Sequence, residues 1–62
     1  MKTYQVWMKD TGGRCIEVEA EDVNLESEGT TAFWNLVAND GGDVVTVGAF
    51  PFNGVDYIVS VK

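Results

Sequence analysis

Lysine and arginine are missing from the whole stretch between Cys15 and Val61. The net charge of the 62 residues is −6. The four basic side chains all lie near the two ends of the chain: Lys2, Lys9, Arg14 and Lys62. Proteins that bind nucleic acids neutralise phosphates with clustered basic side chains. The charge distribution therefore argues against direct binding of nucleic acid.

Histidine is absent, and cysteine occurs once, as Cys15. One thiol cannot form an intrachain disulfide, and it cannot supply the four ligands of a structural zinc site. Without histidine, the usual base that activates a cysteine nucleophile is missing. The carboxylates match none of the ligand spacings of a calcium loop. We therefore expect no catalytic residue, no cofactor and no metal site, and we expect that the protein is not an enzyme.

Long apolar runs are also absent. No segment approaches the roughly 18 apolar residues of a membrane-spanning helix, and the N-terminal stretch lacks the pattern of a signal peptide. A single thiol is typical of proteins in a reducing compartment. We expect a cytoplasmic protein without a membrane partner.

The length of the chain predicts one domain, residues 1–62. A chain of this size buries only about 60% of the surface that its unfolded form exposes. Small domains usually gain further stability from disulfides, a metal or a partner subunit. Because the first two are not expected, the sequence predicts self-association into a homo-oligomer.

Valine, threonine and aromatic residues are abundant, and glycine clusters separate them at short intervals. This pattern is typical of an antiparallel meander of five to six strands. The strands are predicted near 3–9, 14–20, 23–26, 31–38, 44–50 and 55–61. A short helix near 31–39, capped by Thr30 or Thr31, is the alternative and would give an α+β fold.

The register of the first hairpin follows from its apolar face. A three-residue loop over 11–13 would place Met8 opposite Ile16 and Val6 opposite Val18. A slip of one residue would turn every side chain to the other face and mix apolar with acidic groups. The sequence therefore predicts the three-residue loop.

The second hairpin turns over residues 40–43, and its simplest register pairs Trp34 with Ala49 and Leu36 with Val47. One face of this hairpin is then wholly apolar and is predicted to be core. The predicted core comprises Tyr4, Val6, Met8, Ile16, Val18, Trp34, Leu36, Val45, Val47, Tyr57 and Val59. The opposite face is apolar enough to need cover, and it is the predicted self-association surface: Phe33, Val37, Val44 and Phe50.

Six carboxylates lie within twelve consecutive residues: Glu17, Glu19, Glu21, Asp22, Glu26 and Glu28. Alternate residues of a strand lie about 6.6 Å apart, a distance comparable to the spacing of charges along a DNA strand. This acidic surface could therefore imitate a phosphate backbone toward a basic protein. A solvated face that keeps a small β domain soluble is the simpler interpretation.

Two parts of the chain suggest relatives: Tyr4–Asp10 with a glycine turn and Glu17–Glu21, and Val44–Phe50 followed by Val55–Ile58. Together they resemble small uncharacterised β-rich proteins of bacteria and their phages. The resemblance covers most of the chain and implies a β meander curled into a small SH3-like barrel or half-barrel. It assigns no catalytic or binding residue.

The expected function is a non-enzymatic protein-interaction module that self-associates. The alternative is a small acidic inhibitor that imitates the DNA phosphate backbone toward a basic nucleic-acid-binding protein.

Overall fold

Six strands and one turn of 3₁₀ helix form the protein in a computed structural model that describes residues 1–9, 12 and 14–61. The strands are β1 Lys2–Met8, β2 Cys15–Ala20, β3 Asp22–Glu28, β4 Thr31–Asp40, β5 Asp43–Pro51 and β6 Val55–Val61, and the 3₁₀ turn is Phe52–Gly54. The all-β prediction is confirmed, and the segment 31–39 is strand and not helix. No helix formed by the described residues is long and apolar enough to cross a membrane.

The strands form two antiparallel three-stranded sheets. The first sheet has the order β2-β1-β6, and the second has the order β3-β4-β5. Only Glu21 separates β2 from β3, so these two strands are one bent run shared between the sheets. The Glu21 N–H donates to the Val37 carbonyl at 2.7 Å and joins the bend to β4. Among the described residues no ladder joins the outer edges, so the sheets do not close into a barrel.

The β1–β2 register differs from the predicted one by two residues. Val6 lies opposite Ile16, and Tyr4 lies opposite Val18. The predicted pairing was wrong because the ladder ends at the Trp7–Cys15 pair, which leaves a connection longer than three residues between β1 and β2. On the other side of β1, the Lys9 N–H donates to the Gly54 carbonyl at 3.0 Å. Since the shift is an even number, each side chain keeps its predicted face. The three-residue loop predicted over 11–13 lies largely outside the described residues.

A β-bulge changes the β4–β5 register. Near the turn Ala38 pairs with Val45 as expected, but beyond the bulge Leu36 pairs with Gly48 and Trp34 with Phe50. The predicted pairs of Trp34 and Leu36 were therefore wrong. A bulge inserts one extra residue and reverses the alternation of the strand that contains it. Phe50 consequently faces the core.

A second bulge lies in β6. Met8 pairs with Val55 and Trp7 with Tyr57, so Asp56 is the extra residue. Beyond it, Ile58 lies opposite Val6 and packs against the core. Tyr57 turns outward and stacks on Trp7, with ring centroids 5.7 Å apart.

The core is small, and Leu36 and Val6 are its largest fully buried side chains. The buried residues are Tyr4, Val6, Ala20, Leu36, Ala38 and Val55. Three further residues of the predicted core are half-buried against this cluster: Met8, Val18 and Trp34. Five are exposed, contrary to the prediction: Ile16, Val45, Val47, Tyr57 and Val59. All five lie on the edge strands β2, β5 and β6, and the two bulges account for Val47, Tyr57 and Val59.

The molecule exposes more surface than a compact chain of its mass. Its accessible surface is 4397 Å², whereas the scaling for folded monomers gives about 3,950 Å² at 6.8 kDa. Its radius of gyration is 11.8 Å, against about 10.6 Å for a typical domain of this length. The two-sheet fold therefore leaves apolar surface that a more compact core would cover.

Candidate functional site

The predicted self-association surface is not one continuous face. Phe33, Val37 and Val44 share the outer face of the second sheet, but Phe50 belongs to the inner face beside Trp34. Phe33 and Val37 are half-buried, whereas Val44 is 71% exposed. The structure thus retains Val44 as an accessible apolar residue and separates Phe50 from the other three.

The outer edge of β5 is instead the accessible apolar feature of the second sheet. We call the segment Val44–Val47 the β5 edge. All four of its side chains are exposed, and β5 has a neighbour on only one side. No charged residue occurs between Asp43 and Asp56. An edge strand presents a row of unpaired backbone donors and acceptors, and charge is the usual protection against pairing with another chain.

The edge strands β2 and β3 differ from β5 in charge, whereas β6, the remaining edge, carries one charged residue, Asp56. The opposite edge of the second sheet is β3, which carries Asp22, Glu26 and Glu28, and β2 carries Glu17 and Glu19. Like charges placed directly opposite each other destabilise a strand pair. Two copies of this chain would therefore pair through β2 or β3 less readily than through the β5 edge.

The six carboxylates predicted as an acidic surface lie along the bent β2–β3 run, and all are exposed. Glu17 and Glu19 lie on the outer face of the first sheet, Asp22, Glu26 and Glu28 on that of the second, and Glu21 at the bend between them. We call these six residues the acidic strands.

Neutral groups contact three members of the acidic strands. The Gln5 amide donates to Glu17 at 3.2 Å, and the Asn35 amide donates to Glu26. The Val23 N–H donates to the Asp22 carboxylate at 2.8 Å. None of these three contacts compensates a negative charge with a positive one.

A cleft of about 680 Å³ opens between the inner faces of the two sheets. Strand β2 packs on β4 and β5 at one side, where Val18 approaches Gly48, and the cleft occupies the space between β1, β6, β3 and β4. Its lining contains four aromatic residues, Tyr4, Trp34, Phe52 and Tyr57, together with Val23, Val55 and Ile58 and the polar residues Lys9, Asp56 and Ser60. Trp34 and Phe52 stack with ring centroids 5.8 Å apart.

No family model, curated protein or solved structure matches this chain. The function is therefore inferred from the side chains that the protein exposes.

Cys15 is a free, half-buried thiol opposite Trp7 at the edge of the first sheet. Within the described part of the chain, cysteine, aspartate and glutamate side chains nowhere form a group of three that could hold a metal ion. The carboxylates are spread along strands and turns, whereas a metal site needs ligands that converge on one point.

The sequence identified the acidic strands but missed the cleft and the β5 edge as separate features. The cleft depends on the angle between two sheets, which local patterns do not contain. One signal for the β5 edge was available, since Gly48 inside a strand often marks a bulge. A bulge there would have turned Phe50 inward and left the valines that precede it on an uncharged edge.

Proposed function

We propose that this protein is a non-enzymatic protein-interaction module that self-associates through the β5 edge. The observation that supports this proposal is a run of four exposed, uncharged residues on a strand with a free side. Hydrogen bonds to a second strand would pair the free backbone N–H and C=O groups of the edge, and the valine side chains would bury apolar area. The excess exposed surface of the two-sheet fold supports the same proposal.

An antiparallel pair of β5 edges is self-complementary. A two-fold axis through Val45 places Val44 of one copy opposite Thr46 of the other, so that opposite side chains share a face, as an isologous dimer requires. In this register Asp43 lies opposite Val47 and not opposite another carboxylate. Pairing joins two three-stranded sheets into one sheet of six strands, and Pro51 limits the length of the paired segment.

Replacing Thr46 with lysine tests this interface. The two lysines of a Thr46→Lys dimer would lie diagonally across the axis, and their repulsion and desolvation are expected to raise the dimer dissociation constant at least tenfold. Molar mass should be measured by light scattering over a range of protein concentrations, in low and in high salt. Wild-type protein is expected to have the mass of two chains and to keep it in high salt, because the contact is apolar.

Thr31→Lys is the matched control, since Thr31 is an exposed threonine on the central strand β4. It makes the same change of charge and is expected to leave the dimer intact. Equal dissociation by both variants would show a general charge effect and contradict the assignment. A dimer that resists Thr46→Lys but dissociates in Val59→Lys would place the interface on β6. A wild-type monomer at all concentrations would refute self-association.

A second function rests on the acidic strands: inhibition of a basic nucleic-acid-binding protein by imitation of the DNA phosphate backbone. The observation that favours it is the bent β2–β3 run, which displays six exposed carboxylates along one continuous stretch of backbone. Successive outward residues of each strand lie about 6.6 Å apart. A basic groove that follows a nucleic-acid strand could follow this run in the same way.

Competition with DNA tests the second function. The chain is titrated into complexes of a labelled duplex with a panel of basic DNA-binding proteins, and release is followed by fluorescence anisotropy. Where the chain inhibits one of these proteins, we expect Glu26→Gln/Glu28→Gln to weaken the inhibition at least tenfold. The inhibition should also decrease steeply with salt, because salt screens exposed charges. Asp40→Asn/Asp43→Asn removes equal charge at the distant β4–β5 turn and is expected to retain inhibition. Equal loss in both variants, or inhibition that persists in high salt, would contradict mimicry.

A further inference from the structure

The cleft between the sheets has the size and lining of a small-molecule site. Ligand pockets usually measure about 300–1,000 Å³ and combine apolar walls with a few polar groups. The volume of about 680 Å³ lies inside this range. An opening of this size beside such a small core leaves apolar walls exposed, and an apolar ligand would cover them.

Aromatic side chains are concentrated in this cleft. Four of the seven aromatic residues of the chain line it. Phe52 is 44% exposed and stacks on Trp34, so ring surface is accessible to a ligand, whereas the Tyr57 ring stacks on Trp7 at the outer side. The faces of aromatic rings carry partial negative charge and attract cations, including quaternary ammonium groups.

The charges of the protein favour a positively charged ligand. Asp56 lies in the lining and is exposed, and the net charge of −6 attracts cations and repels anions over the whole surface. The hydroxyl groups of Tyr4 and Ser60 can accept hydrogen bonds from an amine. Lys9 is the one cationic side chain of the lining, and its charge opposes a cation.

We propose that the cleft binds a small hydrophobic cation, with an aromatic or aliphatic body and an amine or quaternary ammonium head. The body packs on Trp34, Phe52 and Ile58, and the head lies near Asp56. The lining includes no residue of β5. Binding in the cleft is therefore independent of self-association through the β5 edge.

A pair of isosteric probes separates the effect of charge from that of shape. Benzyltrimethylammonium and neopentylbenzene differ only in the atom at the branch point, nitrogen or carbon. Binding is measured from the methyl NMR shifts of Val55 and Ile58, and the tryptophan signal of a Trp7→Phe variant reports on Trp34 alone. The cation is expected to bind about fivefold more tightly than its neutral isostere, within the usual range of cation–π effects.

Variants of the two charged groups give opposite expectations. Asp56→Asn should weaken binding of benzyltrimethylammonium about threefold to tenfold and leave neopentylbenzene unchanged. Lys9→Gln should strengthen binding of the cation about twofold to threefold. Asp43→Asn removes the same charge at the β4–β5 turn, outside the cleft, and should have less effect than Asp56→Asn.

Three results would overturn the proposal. The first is equal affinity for the two isosteres, which would show that the cleft recognises shape and not charge. The second is an equal effect of Asp43→Asn and Asp56→Asn, which would assign the attraction to net charge alone. The third is absence of shifts at Val55 and Ile58 up to millimolar cation. The Thr46→Lys variant changes the net charge as Asp43→Asn does and should affect binding of the cation no more than that variant, whether or not the wild-type protein is a dimer.

Discussion

Leu36→Ala is expected to lower the free energy of unfolding by about 2–5 kcal/mol, the usual cost of removing a fully buried leucine side chain. Leu36 has no exposed surface and lies on the central strand β4, between Val23 on one neighbour and Gly48 on the other. A domain of 62 residues has a total stability of roughly 3–9 kcal/mol. The substitution therefore removes a large share of the stability, and a substantial unfolded population is expected at room temperature.

Leu25→Ala is the matched control for this prediction. Leu25 lies on the same face of the second sheet, two residues from Val23, but it is 53% exposed. Its truncation is expected to cost less than about 1 kcal/mol, because much of the side chain already contacts water. Urea denaturation followed by tryptophan fluorescence measures both variants. Similar midpoints for the two would show that Leu36 is not the centre of the core.

Gly48→Val is expected to destabilise the protein by about 1–3 kcal/mol through overpacking. A Cβ atom at Gly48 would lie 3.2 Å from the Phe50 ring and 3.7 Å from a methyl group of Val18. Val18 belongs to the first sheet, so the two methyl groups of a valine at 48 would press the two sheets apart. The loss should be visible as a lower urea midpoint and as altered shifts of the Val18 methyl groups.

Ala49→Val provides the comparison for Gly48→Val. Ala49 is the next residue of β5, is exposed, and lies on the outer face of the same strand. Valine has a higher strand propensity than alanine, so this change is expected to be neutral or slightly stabilising. If Gly48→Val is tolerated as well as Ala49→Val, the sheets are not in contact at this point.

The strands themselves were predictable because alternation and glycine turns are local signals. The β4–β5 turn illustrates this: Gly41 and Gly42 have φ angles of +60° and +95°, which glycine adopts readily, and the pairing beside the turn is the predicted one. The two bulges were not predicted. Each bulge lies where one strand must both form hydrogen bonds with its neighbour and pack against the other sheet. The second condition depends on tertiary structure and is not visible in a local pattern. They account for the inward Phe50 and Ile58 and the outward Tyr57.

The candidate sites likewise divide into those set by local sequence and those set by tertiary structure. The acidic strands are a property of consecutive residues, and the structure places all six on the surface where the sequence put them. The β5 edge and the cleft depend on which strand lies at the side of a sheet and on how far the sheets diverge. No single stretch of sequence contains that information, since the cleft combines residues from Tyr4 to Ser60.

The two sheets differ in how their strands are joined along the chain. The second sheet is a meander of neighbours, β3, β4 and β5, whose turns are short. In the first sheet β1 pairs with β6, so the two ends of the chain come together across a loop of about 50 residues. The entropy cost of closing this loop is larger than that of the short turns in the second sheet. Folding that begins with the local meander would therefore complete the cleft last, because β6 forms one of its walls. The binding surface of the cleft then exists only once the chain ends have met, so the intact fold is a condition for every ligand that the cleft takes.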